Sequence, residues 1–202
     1  MLEQRIQQHF IDSADLKYQS AQALSTPIAA AVQAILACVT SGGKVLACGN
    51  GSSAAQAQQF AAFCVAGFER ERPELAALAL TADATLLTTT LAAGSQDVGI
   101  QQFARQVRAL GQAGDVLLTL SVSGNDANLL AATEAAHERD MTVVVLAGRT
   151  GGKLAPVLRE TDVLIGVPHD RAARVREVHA LVLHCLCDGV DAQLLGEQEI
   201  PL

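Results

Sequence analysis

The chain has 202 residues, half of them apolar, and a formal net charge of −7. That is enough apolar chain for one domain with a full core, and the acidic balance excludes a surface built to neutralise a nucleic-acid backbone. With no Trp, one Tyr and five Phe there is also little material for stacking exposed bases.

The first forty or so residues precede any strand-like run. Leu2, Ile6 and Phe10 form a narrow apolar stripe, and Thr26-Pro27 places a proline where a second helix would begin. The expectation is an N-terminal helical hairpin over 1–42. From Gly43 onward short β-like runs alternate with helical stretches: Val45 to Cys48, Leu75 to Leu80, Val116 to Leu120, Thr142 to Leu146 and Val163 to Val167. Such alternation predicts an α/β fold, a three-layer αβα sandwich around a five-stranded parallel sheet in the flavodoxin-like order 2-1-3-4-5, with the core over 43–170. A long helix over 171–195 closes the single domain, and its apolar residues cover more than one face, which points to subunit contacts.

The apolar stretches are strand-length or Ala-rich and interrupted by Gln, and the N-terminus lacks the basic-then-apolar layout of an export signal. The expectation is a cytoplasmic protein with no membrane and no direct nucleic-acid partner. Cys38, Cys48, Cys64, Cys185 and Cys187 are odd in number and lack Cys-x-x-Cys spacing, as expected of reduced core thiols.

Two strand ends each deliver a Gly/Ser loop to the start of a helix. After the first strand comes Gly49-Asn-Gly-Ser-Ser53, where glycines allow a tight turn and close approach and the serines lie beside unpaired helix-start amides. After the third comes Ser121-Val-Ser-Gly-Asn125. In the 2-1-3-4-5 order these loops flank the switch-point crevice, and helix N-termini hold phosphate well. Either loop alone is equally a turn with serine caps. Gly49 to Ala54 also fits G-x-G-x-x-G/A, but the nearest acid at a second strand end, Asp83, follows Gly49 by thirty-four residues rather than about twenty, which disfavours a dinucleotide enzyme.

The segments Gly49-Asn-Gly-Ser-Ser53, Ser121-Val-Ser-Gly-Asn125, Gly151-Gly-Lys-Leu154 and Val175-Arg-Glu-Val-His179 resemble the sugar isomerase (SIS) domain, in its phosphoheptose isomerase-like branch. Within that branch, Ser53 to Ala62, Arg108 to Leu118, Arg139 to Thr142 and Cys185 to Asp188 are most similar to the DiaA group, the DnaA initiator-associating proteins. The resemblance implies a homotetramer and a phosphosugar cleft lined by Asn50, Gly51, Ser52, Ser53, Ser121, Val122, Ser123, Asp126 and Arg176. It also implies the DnaA initiator as partner and a role in promoting chromosomal replication initiation.

Isomerisation of a sugar phosphate requires an acid/base beside the carbonyl. In the resembled isomerases the first-loop helix carries a His and, four residues on, a Glu; those positions are Gln59 and Phe63 here. A Gln of the last helix that contributes to the metal site is Arg176, whose charge repels a divalent cation. The last-helix His is His184, the one catalytic candidate. A third serine of the phosphate loop is Asp126, expected to cap the following helix and repel phosphate, with Arg176 or the nearby Arg171 and Arg174 as compensating cations. These departures favour a non-enzymatic protein that uses no metal or cofactor and binds DnaA through Leu194 and Leu195 at the end of the last helix. The alternatives are sedoheptulose 7-phosphate isomerase, using His184 with a carboxylate such as Asp97 or Glu177, and a phosphosugar sensor.

Overall fold

A computed structural model describes residues 1–92 and 99–196. In chain order the elements are α1 (Leu2–Thr40), β1 (Val45–Gly49), α2 (Ser52–Ala66), β2 (Ala77–Ala79), α3 (Ala84–Ala92), α4 (Gln102–Leu110), β3 (Val116–Leu120), α5 (Ala127–Glu138), β4 (Thr142–Gly148), a 3-10 turn (Ala155–Val157), β5 (Val163–Val167) and α6 (Ala172–Leu195).

The strands form one parallel sheet in the order β2-β1-β3-β4-β5. The five residues of β1 and of β3 are all buried, which is why these strands read as unbroken apolar runs rather than alternating ones: helices cover both faces. On one face α1, α2 and α6 contribute Leu24, Ile35, Phe60, Val178 and Leu186 to a core with Val45, Leu118 and Leu146. On the other, α4 and α5 bring Phe103, Val107, Leu129 and Ala132 against Leu46, Leu117 and Val145. The helices that follow β1 and β3 therefore leave on opposite faces, and Gly49 lies in register with Leu120. The crevice expected at the switch point opens between these two strand ends.

The N-terminal hairpin is not formed. Residues 2–40 make one continuous helix with Pro27 inside it. Proline removes one intrahelical hydrogen bond and crowds the preceding turn, a cost of about 3 kcal/mol. Against that, Leu16, Leu24, Val32 and Ile35 lie on one buried stripe running past the proline, each contributing roughly 1.5–3 kcal/mol by burial. Packing on the sheet outweighs the local break. Leu2, Ile6 and Phe10 stand exposed at the free end of this helix.

By length and composition α1 and α6 would each be long and apolar enough to cross a membrane. Both instead supply core residues of the sandwich. The five cysteines are free, four of them buried and Cys185 half-buried. Burial pushes the Cys48 thiol far above its ordinary range and Cys38 up to about 11, with Asp115 adding to the latter.

Candidate functional site

Asn50, Gly51, Ser53, Leu120, Ser121, Val122, Ser123, Asp126 and Arg176 line one cleft of about 320 Å³ at the carboxyl ends of β1 and β3. Eight of the nine residues expected there are thus brought together. Ser52 is the exception: it is exposed on the outer side of the α2 start and does not line the cleft. Gly51 adopts φ 57° and ψ −123°, a conformation that side-chain-bearing residues rarely hold, and so lets the chain turn from β1 into α2. The following Ser53 faces inward and is buried.

The floor of the cleft is a polar network. Asn50 Nδ2 donates to Asp126 Oδ1 at 3.0 Å and to Asn128 Oδ1 at 2.9 Å, and Asn128 Nδ2 returns a bond to Asn50 Oδ1 at 2.9 Å. Ser121 Oγ donates to Asp126 Oδ2 and accepts the Gly124 N–H at 2.8 Å. Asp126 stands at the head of α5, yet its side chain makes no capping bond to the helix. This corrects the expectation that it takes the first-turn amides: Ser121 and Asn50 are stronger claims on the carboxylate because the adjacent β1 and β3 ends point both at it.

Arg176 enters from the first turns of α6. Gln56 Nε2 donates to its carbonyl at 2.8 Å, tying α2 to α6, while Arg176 Nε is buried without a partner. The other arginines considered do not share the cleft. Arg174 donates to the His9 carbonyl at 2.8 Å and pairs with Glu177 at 2.7 Å, and Arg171 caps α6 outside the lining. Glu177 also accepts the Ser13 hydroxyl at 2.7 Å, so this carboxylate holds α1 to α6 rather than facing a ligand. Asp97 lies outside the described residues. Asp83, the acid weighed for a dinucleotide ribose, instead accepts the Leu86 amide at 2.9 Å at the start of α3.

His184 does not line the cleft. Two helical turns beyond Arg176, it packs against Phe68 and Phe63 with ring centroids 5.2 and 5.8 Å away, and the two phenylalanines are themselves 5.1 Å apart. The positions that resemblance pairs as acid and base, Phe63 and His184, do meet in space, as an aromatic cluster. Gln59 is exposed on the outer face of α2. His179, on the same helix, is completely enclosed; burial holds its imidazole neutral, down to about 4, with Arg176 acting in the same direction and the Ala147 backbone opposing. Among the described residues no group of three or more His, Cys, Asp or Glu is arranged to hold a metal.

The course of the Ser121–Asp126 loop has a cause that residue types alone did not reveal. A Cβ on Gly124 would stand 1.9 Å from the Gly151 carbonyl oxygen, and one on Gly152 would stand 2.3 Å from the Ser123 carbonyl oxygen. The loops after β3 and β4 cross backbone on backbone, and the Leu154 N–H donates to the Gly124 carbonyl at 3.0 Å. The paired glycines at 151 and 152 were the available signal. Leu194 and Leu195, expected as a partner patch, are 37% and 40% exposed where α6 ends; Arg70 donates to the Gly196 carbonyl at 3.0 Å beside them.

A family model described as the SIS domain matches residues 9–148. A phosphoheptose isomerase of Methylibium petroleiphilum is 62% identical over 99% of this chain and 98% of its own length. One of Neisseria meningitidis is 50% identical over 96% and 97%. Among solved structures, phosphoheptose isomerase GmhA from Neisseria gonorrhoeae superposes with a TM-score of 0.88 at 47% identity, covering 95% of this chain and 100% of that one. A phosphoheptose isomerase from Francisella tularensis gives 0.88 at 42%, covering 95% and 98%.

These likenesses overturn the expectation of a DnaA-binding protein of replication initiation. Relatives this similar over almost the whole chain carry the name of an isomerase, and the alternative reading fits them better. The preference for a non-enzymatic role has no support from them either.

Proposed function

The chain belongs to the SIS domain family, and we propose that it is a phosphoheptose isomerase whose cleft receives a sugar phosphate of the sedoheptulose 7-phosphate class. The observation that carries this reading is the convergence of Asn50, Gly51, Ser53, Ser121, Ser123 and Arg176 on one cleft at the switch point of the sheet. The isomerase names of full-length relatives support it.

Interconverting a ketose and an aldose moves a proton between neighbouring carbons and needs a group that accepts and returns it. Among the described cleft-lining side chains Asp126 is the proton acceptor. Arg176 supplies the fixed positive charge for the phosphate, and a guanidinium suits that task because it stays protonated.

Incubation of the purified chain with sedoheptulose 7-phosphate, followed for heptose phosphate product, tests the activity, and thermal shifts across a panel of sugar phosphates test binding. Product together with a raised melting temperature is the expected result; no product and no shift with any sugar phosphate refutes it. A second reading, a phosphosugar sensor without turnover, is favoured by the aromatic cluster of Phe63, Phe68 and His184, which holds no carboxylate. It is distinguished by a thermal shift without product.

The same reading includes a cytoplasmic homotetramer. Exposed Leu2, Ile6 and Phe10 on α1 support self-association by offering an apolar stripe to another copy. Light scattering on the assay preparation reads four subunits on this view and one against it.

A further inference from the structure

A second cleft of about 320 Å³ opens at the carboxyl ends of β4 and β5, with Asn125, Arg149, Thr150, His169 and Asp170 in its lining. It shares only Val122 and Ser123 with the first, so these two residues are the ridge between them. Its frame is tied by backbone. The Gly148 N–H donates to the Val122 carbonyl at 3.0 Å, and the Arg149 and His169 N–H groups both donate to the Val167 carbonyl, at 2.6 and 2.7 Å. Asn125 is fixed as well: its Oδ1 accepts the Lys153 amide at 3.1 Å and its Nδ2 donates to the Ser123 carbonyl at 3.1 Å. Arg149 stands at φ +43°, a left-handed conformation that side-chain-bearing residues seldom hold. Gly166 makes room for it, since a Cβ there would stand 2.2 Å from the Arg149 carbonyl oxygen. A strained residue held on a tied frame gives a wall formed before any ligand arrives, which lowers the cost of binding one.

The polar groups left over in this cleft are of both kinds. His169 Nδ1 accepts the Arg171 N–H at 2.9 Å, so the ring proton is on Nε2, a donor with no partner among the described residues. The Thr150 hydroxyl has none there either. Arg149 Nε donates to Asp170 Oδ1, which leaves the terminal guanidinium nitrogens as donors and Asp170 Oδ2 as an acceptor. The cation and the anion of the lining are paired with each other, so the cleft presents no uncompensated charge to a ligand. We propose that it seats one neutral polyhydroxylated molecule of monosaccharide size. Each hydroxyl of such a ligand both donates and accepts, which matches a wall of mixed donors and acceptors, whereas a phosphate would meet the Asp170 carboxylate. The volume lies at the low end of the roughly 300–1,000 Å³ of small-molecule sites, which fits a single sugar. The assignment does not depend on turnover in the first cleft.

Sedoheptulose without its phosphate is the probe, titrated calorimetrically into the full chain and into Asp170→Asn and Thr150→Val. Both positions are exposed and the Arg149–Asp170 pair is a surface one, so the variants keep the fold, which thermal melts verify. Loss of a hydrogen bond to a charged acceptor should weaken binding about tenfold or more in Asp170→Asn, and loss of a neutral one about threefold or more in Thr150→Val. Sedoheptulose 7-phosphate, titrated into the same three proteins, should bind each of them within about twofold, because neither residue lines the first cleft. No binding of sedoheptulose to the unmodified chain, or binding that both variants leave unchanged, overturns the inference. Failure of sedoheptulose 7-phosphate to bind the unmodified chain removes the phosphosugar reading of the first cleft instead, and the neutral sugar still decides the second.

Discussion

Arg72 and Asp191 form the most deeply placed ion pair in the molecule's described part, with side chains only 1% and 2% exposed and Nε 2.5 Å from Oδ1. The guanidinium also donates to the carbonyls of Cys64 at 2.7 Å and Phe63 at 2.9 Å, so it binds the last turn of α2 to α6. Replacing Arg72 with Ala leaves a buried carboxylate with neither oxygen paired, since Asp191 Oδ2 has no partner even now, and it leaves the Phe63 carbonyl with the Gly67 N–H alone. Breaking a buried pair from one side costs about 3–5 kcal/mol. For a chain of this length that corresponds to a fall of roughly 10–15 °C in Tm. Urea unfolding at one fixed protein concentration measures it directly. The double variant Arg72→Met with Asp191→Leu removes both charges and is expected to lie within about 2 kcal/mol of the unmodified chain, because the desolvation penalty goes with the pair. A loss below about 1 kcal/mol for Arg72→Ala, or a double variant as unstable as the sum of its parts, refutes the assignment of the pair as fully desolvated.

Two further outcomes follow from the loop crossing and from the enclosed imidazole. Gly124→Ala, whose Cβ would stand 1.9 Å from the Gly151 carbonyl oxygen at φ +69°, should cost about 3 kcal/mol or more by forcing the two loops apart; an unaltered urea midpoint would contradict the crossing. His179 is held down to about 4 from an ordinary 6.5, so the unfolded chain binds the proton that the folded one refuses. Stability should therefore be fully present above about pH 6.5 and fall by about 3 kcal/mol as the pH drops to 4, a slope that His179→Leu flattens; an identical pH profile in that variant would show that another group carries it.

Much of the fold was legible because each strand is an apolar run closed by glycine, serine or a charged turn. Val116–Leu120 and Val163–Val167 have the bounds read from the residues alone, and the order β2-β1-β3-β4-β5 follows from right-handed crossovers. The cleft loops were legible for the same reason, since Gly49, Gly51 and Gly124 have few other uses at a strand end. Pro27 misled because a local breaker was weighed without the stripe from Leu16 to Cys38 that the sheet would bury. The neighbours of His184 were not legible, because a histidine's residue type says nothing about what packs on it, and Phe63 and Phe68 make it part of an aromatic cluster.

What the chain determined by itself is the alternation of apolar runs and Gly/Ser turns, hence a doubly covered parallel sheet with a polar crevice where β1 and β3 end. These are local properties of spacing and backbone freedom, readable within a few residues. Only the tertiary structure decided which polar groups find each other. Asp126 is five residues from Ser121 and seventy-six from Asn50, Arg72 is one hundred and nineteen from Asp191, and Gly152 meets Ser123 across two loops. A buried charge takes whichever donor the packed backbone brings within reach, and that reach is set by the sheet and its crossovers rather than by distance along the chain.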